Sequence, residues 1–404
     1  MKEVILDTNV LLDGINLSQF SKVFLPITVV EELDKIKHKS EGELNYKARR
    51  AIRQIKESDN IEYKLDCSYS LPIWLDCNSP DNKILGFAKE IVTVNPDVIL
   101  LSNDYNLIVK SQALGLPCKM FECENKNIEK YTGCHIIEMT ENELANWYND
   151  KIKTNLWNLN INEYLLLSIN NEIVDKYRWT LTGFKGIAKK DYKSMMFGNL
   201  KPKDIYQELC IDSLHNNQFT AITGKPGSGK SLISLMYVMW ALQNQKYDSC
   251  VIMYNPTKVR GAVDMGYYSG NSVEKGMQQF IGNMLITKFG DKSIVNTLIS
   301  QEKIRLIPMA DSRGMEVSDN QILYITECQN TTPDLLKICL SRCSKDAKII
   351  IEGDPYQQVD KVDYVGKNNG LLKAIEIFKN EDIFGCVHLP NVWRSRIADL
   401  ADKM

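Results

Sequence analysis

The chain has 404 residues, more than one hydrophobic core usually supports, so two or more domains are expected. A hydrophobic fraction of 44% and a charged fraction of 25% are those of an ordinary soluble chain, and no low-complexity tract is long enough to read as disordered. The net charge of −2 excludes a globally basic nucleic-acid binder, so a nucleic-acid partner would have to be held by local basic patches. No basic, apolar leader precedes the first strand, and the longest apolar run, around 232–242, is too short to span a bilayer. A cytoplasmic protein with no membrane partner is expected. The 11 cysteines include no C-x-x-C pair and none with a histidine at zinc-ligand spacing, which points to reduced, mostly buried thiols.

Residues 1 to 130 alternate short apolar strands (4–6, 23–25, 98–102) with amphipathic helices (30–37, 45–55, 82–91), the rhythm of a small parallel sheet. Four acids fall at strand ends or helix starts: Asp7, Glu32 of the Glu31-Glu32 pair, Asp81 and Asp104. In a parallel α/β sheet these positions share one edge, where ligands bind. Converging carboxylates repel one another unless a divalent cation neutralises them, so the set is a candidate Mg²⁺ or Mn²⁺ site for in-line displacement at phosphorus. Taken singly, Asp81 reads more readily as a helix cap and Asp104 as a turn residue; it is their order together that favours the metal site. Of the two glutamates, Glu32 is expected to point inward and Glu31 to solvent. Lys35, Lys37, Lys39, Lys47, Arg49, Arg50, Arg53 and Lys56 form a basic stretch that reads either as a nucleic-acid track or as a solvated helix face.

Residues 131 to 200 break this rhythm. A short helix over 141–147 precedes strands 163–169, 172–179 and 182–188, which alternate as antiparallel neighbours about an Asn170-Asn171 turn. Trp147, Trp157 and Trp179 suit the core of such a connector better than base stacking. The histidines (His38, His135, His215, His388) form no cluster.

Lys201-Pro202 opens the second α/β region, 201–404. There Gly224-Lys225-Pro226-Gly227-Ser228-Gly229-Lys230-Ser231 follows a buried strand, 219–223, and precedes an apolar helix, 232–242. This is the phosphate loop of a nucleoside triphosphatase: backbone N–H groups and a helix start face the phosphates, Lys230 reaches the β/γ oxygens and Ser231 ligates Mg²⁺. Gln207 is placed to read an adenine edge. Glu327, after the apolar run 322–325, is placed to polarise the attacking water. Asp354 and Gln357, after the strand at 349–351, suit γ-phosphate sensing, and Arg394 is a cation for the transition state.

The N-terminal strings Asp7-Thr8-Asn9, Val30-Glu31-Glu32-Leu33-Asp34, Asp81-Asn82-Lys83-Ile84-Leu85 and Ser102-Asn103-Asp104 resemble the PIN-domain family of metal-dependent ribonucleases. The resemblance implies cleavage of single-stranded RNA, with Asp7, Glu32, Asp81 and Asp104 on the metal and with Asn9 and Ser102 orienting ligands or phosphate. From about residue 200 onward, the phosphate loop, Arg313-Gly314, Glu327-Cys328-Gln329-Asn330-Thr331-Thr332-Pro333, Gly353-Asp354-Pro355-Tyr356-Gln357 and Arg394-Ser395 resemble the PhoH-like ATPases, relatives of superfamily 1 helicases. Together the halves resemble PIN–PhoH fusions, in which an RNase is joined to an ATP-driven RNA motor. The implied fold is α/β, with a PIN-like parallel sheet, a small β-rich connector and a P-loop NTPase sheet of superfamily 1 helicase type. The resemblance also implies a nucleotide contact for Arg313 and a ring-like homo-oligomer in which Arg394 serves a neighbour's nucleotide. Two positions depart from the family pattern: Thr326 replaces the aspartate before Glu327, and Tyr254-Asn255-Pro256 lacks the arginine before proline. Thr326 brings no charge to Mg²⁺, which opens the alternative of a slow nucleotide-gated switch or scaffold that controls RNA access without unwinding.

Overall fold

The computed structural model describes residues 2–40, 43–64, 71–72, 75–76, 78–121, 130–150, 154–188, 192–194, 198–256, 280–356, 364 and 366–393. The chain divides into two compact units, Met1–Asn127 and Ile128–Met404. Among the described residues no helix is long and apolar enough to cross a membrane.

The first unit is a five-stranded sheet of β1 (Glu3–Leu6), β2 (Lys22–Pro26), β3 (Ile61–Lys64), β4 (Ile99–Ser102) and β5 (Cys118–Met120), ordered β3-β2-β1-β4-β5. Every neighbouring pair is parallel. The helices are α1 (Thr8–Leu12), α2 (Ile27–Lys39), α3 (Glu43–Glu57), α4 (Pro80–Val94) and α5 (Tyr105–Ala113). The central strands are continuous apolar runs because both faces are covered: Ile5, Leu6, Val23, Leu25 and Leu100 are buried with Leu33, Ala51, Leu85 and Phe87 from the helices. The strand order reverses between β1 and β4. Their carboxyl ends, carrying Asp7 and Ser102, therefore open on the crevice where such sheets bind ligands.

The second unit holds a six-stranded, all-parallel sheet ordered β14-β13-β15-β16-β12-β17. Its strands are β12 (Phe219–Gly224), β13 (Ser249–Tyr254), β14 (Ile304–Pro308), β15 (Gln321–Ile325), β16 (Lys348–Gly353) and β17 (Phe384–Leu389). One face packs against α7 (Ile205–Asn216), α8 (Lys230–Gln243), α9 (Phe280–Phe289) and α10 (Lys292–Ser300) through Ile222, Ile252, Tyr324 and Ile350. The other packs against α11 (Pro333–Leu340) and α12 (Gly370–Phe378) through Phe219, Ala221, Leu323 and Ile351. The period of two assigns alternate residues of each strand to opposite helical layers.

The stretch expected as a separate connector lies inside this second unit. Its sheet is β6 (Cys134–Glu138), β7 (Tyr164–Ile169), β8 (Glu172–Thr180) and β9 (Gly183–Gly186), with α6 (Glu141–Asn149) between β6 and β7. The last three strands pair antiparallel, and Asn170 and Asn171 turn at φ 51° and 64° as a two-residue hairpin requires. The parallel edge strand β6 has no counterpart in the sequence reading, because its half-exposed residues carry little periodicity. The sheet is stitched to α7 and β17. Tyr164 Oη donates to Asp212 at 3.2 Å, Arg178 pairs with Asp212 at 3.1 Å, and Asn162 Nδ2 donates to the carbonyls of Asp382 (2.7 Å) and Phe384 (3.0 Å). Gly133 passes so close to β17 that a Cβ there would lie 1.8 Å from the Cys386 carbonyl oxygen, and its φ of +71° favours glycine as well. A short ribbon of β10 (Tyr192–Ser194) and β11 (Gly198–Leu200) completes the elements.

Trp147 is 6% exposed and packs against Trp157, Tyr177 and Phe184 with ring centroids 5.2 to 5.7 Å apart. It is a core residue of the small sheet. Trp147→Ala is expected to destabilise the second unit by about 3–5 kcal/mol, and chemical denaturation checks this. RNA affinity of the variant, measured where it is still folded, is expected to be unchanged.

Candidate active sites

The acidic corner of the first unit is built from strand ends. Asp7 is the N-cap of α1 and is only 5% exposed. Its Oδ1 accepts from the Thr8 backbone N–H at 2.6 Å and its Oδ2 from Ser102 Oγ at 2.6 Å. Burial pushes its carboxyl up to about 6, against these two hydrogen bonds, and the negative charges of Glu32 and Asp81 push the same way. Glu32 is half-buried while Glu31 is exposed, and Glu32 accepts from Thr8 Oγ1. Asp81 stands in the first turn of α4, with Lys110 Nζ 3.8 Å away. Asp104 caps α5 by accepting from the Asn106 N–H at 2.8 Å, and its own N–H donates to Ser102 Oγ at 2.9 Å. Asn9 Oδ1 accepts from the Asn103 N–H at 3.1 Å, tying the loop after β4 to that after β1.

The structure therefore brings Asp7, Glu32 and Asp81 within electrostatic range. It joins Asp104 to them through Ser102, with the Asp104 carboxylate turned to its own helix. Among the described residues no three acidic, His or Cys side chains stand at ligand spacing. The donor set still fits a hard divalent cation: oxygen ligands only, one of them a buried carboxyl whose charge is unfavourable without a cation. Lys110 reaches both Asp81 and Asn82 Oδ1 (3.2 Å) from α5, a contact between helices that sequence spacing does not show.

On α2 and α3, Lys37, Arg49, Arg53 and Lys56 line an open groove of about 530 Å³ with Ile52 and Glu57. Arg50 leaves the patch, its Nη2 donating to the Leu12 carbonyl at 3.0 Å.

In the second unit the loop between β12 and α8 encloses a cavity of about 450 Å³, lined by Gln207, Pro226, Gly227, Gly229, Lys230, Ser231, Glu327 and Asp354 among others. Gly229 starts α8 at φ 100°, a left-handed conformation, with Gln207 Nε2 3.0 Å from where a Cβ would be. Lys230 Nζ donates to the carbonyls of Gly224 (2.6 Å) and Lys225 (3.0 Å), holding the loop curled over the helix start. Gly224, Lys225 and Ser228 shape the turn, and Ser228 is buried. Glu327, at the end of β15, has φ 52° and ψ 39°, a left-handed conformation rare for a residue with a side chain and of the kind that clusters at active sites. Its carboxylate accepts from Gln329 Nε2 at 2.5 Å, and Gln329 Oε1 accepts from the Asp354 N–H at 3.2 Å. Gln329 thus couples the candidate base to the candidate sensor, a role the sequence did not assign.

Gln207 lines the cavity and Arg313 does not. Gln207 also braces the phosphate loop: its Nε2 donates to the Ser228 carbonyl (3.1 Å) and its Oε1 accepts from the Lys203 N–H (2.9 Å), using one of the amide's two N–H groups and one of its two lone pairs. Arg313 is exposed after β14 and lines no part of the cavity. β14 is the sheet edge, four strands from β12, or about 19 Å across at the usual strand spacing. Gln357 and Arg394 lie outside the described residues. Lys201, Lys203, Lys288 and Trp393 also line the cavity. Trp393 is 45% exposed, its N–H donates to the Gly227 carbonyl at 3.0 Å, its Nε1 donates to Asp204 at 3.1 Å, and Lys203 Nζ stands 5.3 Å from its ring centroid. His388 Nδ1 lies 3.0 Å from Thr223 Oγ1. Burial, aided by the positive charges of Lys130 and Lys230, lowers its pKa to about 4, so it is neutral at physiological pH.

A parallel sheet whose first strand runs through a glycine-rich phosphate loop into a helix, with an acid at the end of a strand two places away, defines a P-loop nucleotide-binding protein. Here it follows a parallel α/β unit with an acidic switch point. The PhoH-like protein family profile matches residues 199–403, and the PIN domain profile matches residues 4–122. The chain belongs to the PhoH-like protein family and carries a PIN domain ahead of the PhoH-like region. It is 27% identical over 445 residues to Protein PhoH2 of Bacillus subtilis, covering 99% of each chain. It is 24% identical over 427 residues to Protein PhoH2 of Thermobispora bispora, covering 99% of this chain and 95% of that one.

Proposed function

We propose that the chain is an ATP-dependent RNA-remodelling motor, helicase-like in character, coupled to metal-dependent endoribonuclease cleavage of single-stranded RNA. The observation that carries this reading is the pairing, in one chain, of a phosphate-loop cavity with a buried acidic switch point. At the cavity, Lys230 would leave the loop carbonyls for the phosphates, Ser231 would offer its hydroxyl to Mg²⁺, Glu327 would orient the attacking water and Asp354 would sense the γ-phosphate. Trp393 presents a ring at the mouth that suits a base. In the PIN domain, Asp7, Glu32, Asp81 and Asp104 would hold Mg²⁺ or Mn²⁺, with Ser102 and Asn9 fixing the strand-end loops. The cation would supply a water of lowered pKa and offset phosphate charge. The family resemblance supports a cytoplasmic homo-oligomer, ring-like, with Arg394 serving a neighbouring nucleotide.

The groove on α2 and α3 gives RNA a track on the helix that carries Glu32, with Lys37 about 7.5 Å further along its axis. Arg49→Glu with Arg53→Glu is expected to weaken single-stranded RNA binding at every sequence. It should also flatten the slope of log affinity against log salt by about 1.4, the share of two phosphate contacts. Fluorescence anisotropy across a salt series checks this, and an unchanged slope would assign the patch to solvent.

Thr326 favours one second reading, in which ATP gates access to the acidic site without driving unwinding. Phosphate-release assays with and without RNA decide between the two: RNA-stimulated turnover supports the motor. Nucleotide-dependent assembly without turnover supports the switch.

A further inference from the structure

The position after β15 lacks the acid that would help hold Mg²⁺ beside Ser231, yet the sheet supplies a carboxylate next to it. β15 and β16 are paired with Ile325 opposite Ile351, so the next residues, Thr326 and Glu352, lie side by side at the strands' carboxyl ends. Both face α8, as do Tyr324 and Ile350. Glu352 is 1% exposed. Its Oε1 accepts from Tyr324 Oη at 2.5 Å and from Thr326 Oγ1 at 3.0 Å, and its Oε2 accepts from Ser234 Oγ at 3.4 Å. The Tyr324 hydroxyl is also within hydrogen-bonding reach of the Ser231 side chain. Among the described residues no lysine or arginine pairs with Glu352.

A buried carboxylate served only by neutral hydroxyls is costly, because the hydroxyls do not repay its lost hydration as a cation would. Stability alone would favour an amide or an apolar residue at this place. Function supplies a reason for the charge. The three hydroxyls of Tyr324, Thr326 and Ser234 all donate to Glu352, and Tyr324 also reaches Ser231 in the first turn of α8, where the nucleotide's cation is to be held.

We propose that Glu352 is the positioning carboxylate for nucleotide-bound Mg²⁺ in this chain. It takes the place of an acid at position 326 and acts through Thr326, Tyr324 and Ser231 on the ion's water shell. The proposal rests on the phosphate-loop reading above. Neither Glu352 nor Tyr324 is asked to touch the nucleotide.

The test uses the full chain and a fluorescent, non-hydrolysable ATP analogue, titrated in EDTA and then with Mg²⁺. In wild type, Mg²⁺ is expected to tighten binding. Glu352→Gln keeps the shape and the hydrogen-bond acceptor but removes the charge. It should weaken the apparent Mg²⁺ affinity of the complex about tenfold, the scale of one charge-assisted interaction, with the EDTA affinity unchanged. Adding Thr326→Asp to Glu352→Gln should restore most of the loss. An unchanged Mg²⁺ affinity in Glu352→Gln would reduce Glu352 to a structural cross-link and overturn the proposal. Should Glu352→Gln fail to fold, the exchange Thr326→Asp with Glu352→Thr decides: wild-type Mg²⁺ dependence supports the proposal and its loss overturns it. Absence of analogue binding by wild type in either condition would instead overturn the phosphate-loop reading.

Discussion

Asp7→Asn is expected to reduce RNA cleavage by about 10²–10⁴-fold while making the metal-free protein more stable near neutral pH. The two effects share one cause. The fold holds Asp7 at 5% exposure beside two other acids, so its carboxyl titrates at about 6 rather than at 3.8. Between these values the unfolded chain has released a proton that the folded chain retains. Stability therefore falls as pH rises from about 4 to about 6 and stays lower above that range. Asparagine keeps an acceptor for the Thr8 N–H and carries no charge, so the variant escapes that loss. The gain should be about 1–3 kcal/mol above pH 6 and should vanish near pH 4, where wild-type Asp7 is protonated. Thermal unfolding in EDTA at both pH values checks this. Added Mn²⁺ should stabilise wild type and leave the variant unmoved. A variant less stable than wild type at neutral pH in EDTA would mean that Asp7 is a helix cap and no more.

Lys230→Ala should lower ATP turnover by about 10²–10³-fold, the usual effect of losing one preorganised charge at a phosphate. The geometry adds a second consequence. Lys230 straps the Gly224 and Lys225 carbonyls, so its loss also frees the loop, and nucleotide affinity should fall together with turnover. Binding of single-stranded RNA to the α2–α3 groove should be unaffected. Phosphate release, analogue binding and RNA anisotropy on one preparation separate these effects.

The parts of this architecture that could be read from sequence are those fixed by local pattern. Doubly buried strands such as 4–6 and 349–351 are continuous apolar runs, and the residue that ends each is placed by chain order alone. The candidate roles of Asp7, Lys230 and Glu327 are read that way. What could not be read depends on which strands become neighbours. Glu352 belongs to a strand recognised in the sequence, but its meaning comes from lying opposite Thr326, and that follows from register across two strands. Gln207 reads from the sequence as an adenine contact because of its spacing from the loop. The fold also ties its amide to backbone groups at Ser228 and Lys203, a bracing contact that spacing could not show. Arg313 follows the edge strand β14, and that neighbourhood is set by strand order and not by local pattern. Trp393 and Lys288 join the cavity from distant parts of the chain. Arg50 looked like one of eight equivalent cations until its partner, the Leu12 carbonyl, was in view.

The proposed function requires two working sites in one chain, one for ATP and one for RNA cleavage. ATP hydrolysis and Mg²⁺- or Mn²⁺-dependent cleavage of a single-stranded RNA, measured side by side in wild type, Lys230→Ala and Asp7→Asn, decide it. Both activities are expected in wild type, with loss of hydrolysis in Lys230→Ala and loss of cleavage with hydrolysis retained in Asp7→Asn. Cleavage that persists undiminished in Asp7→Asn, or hydrolysis that persists in Lys230→Ala, would contradict it.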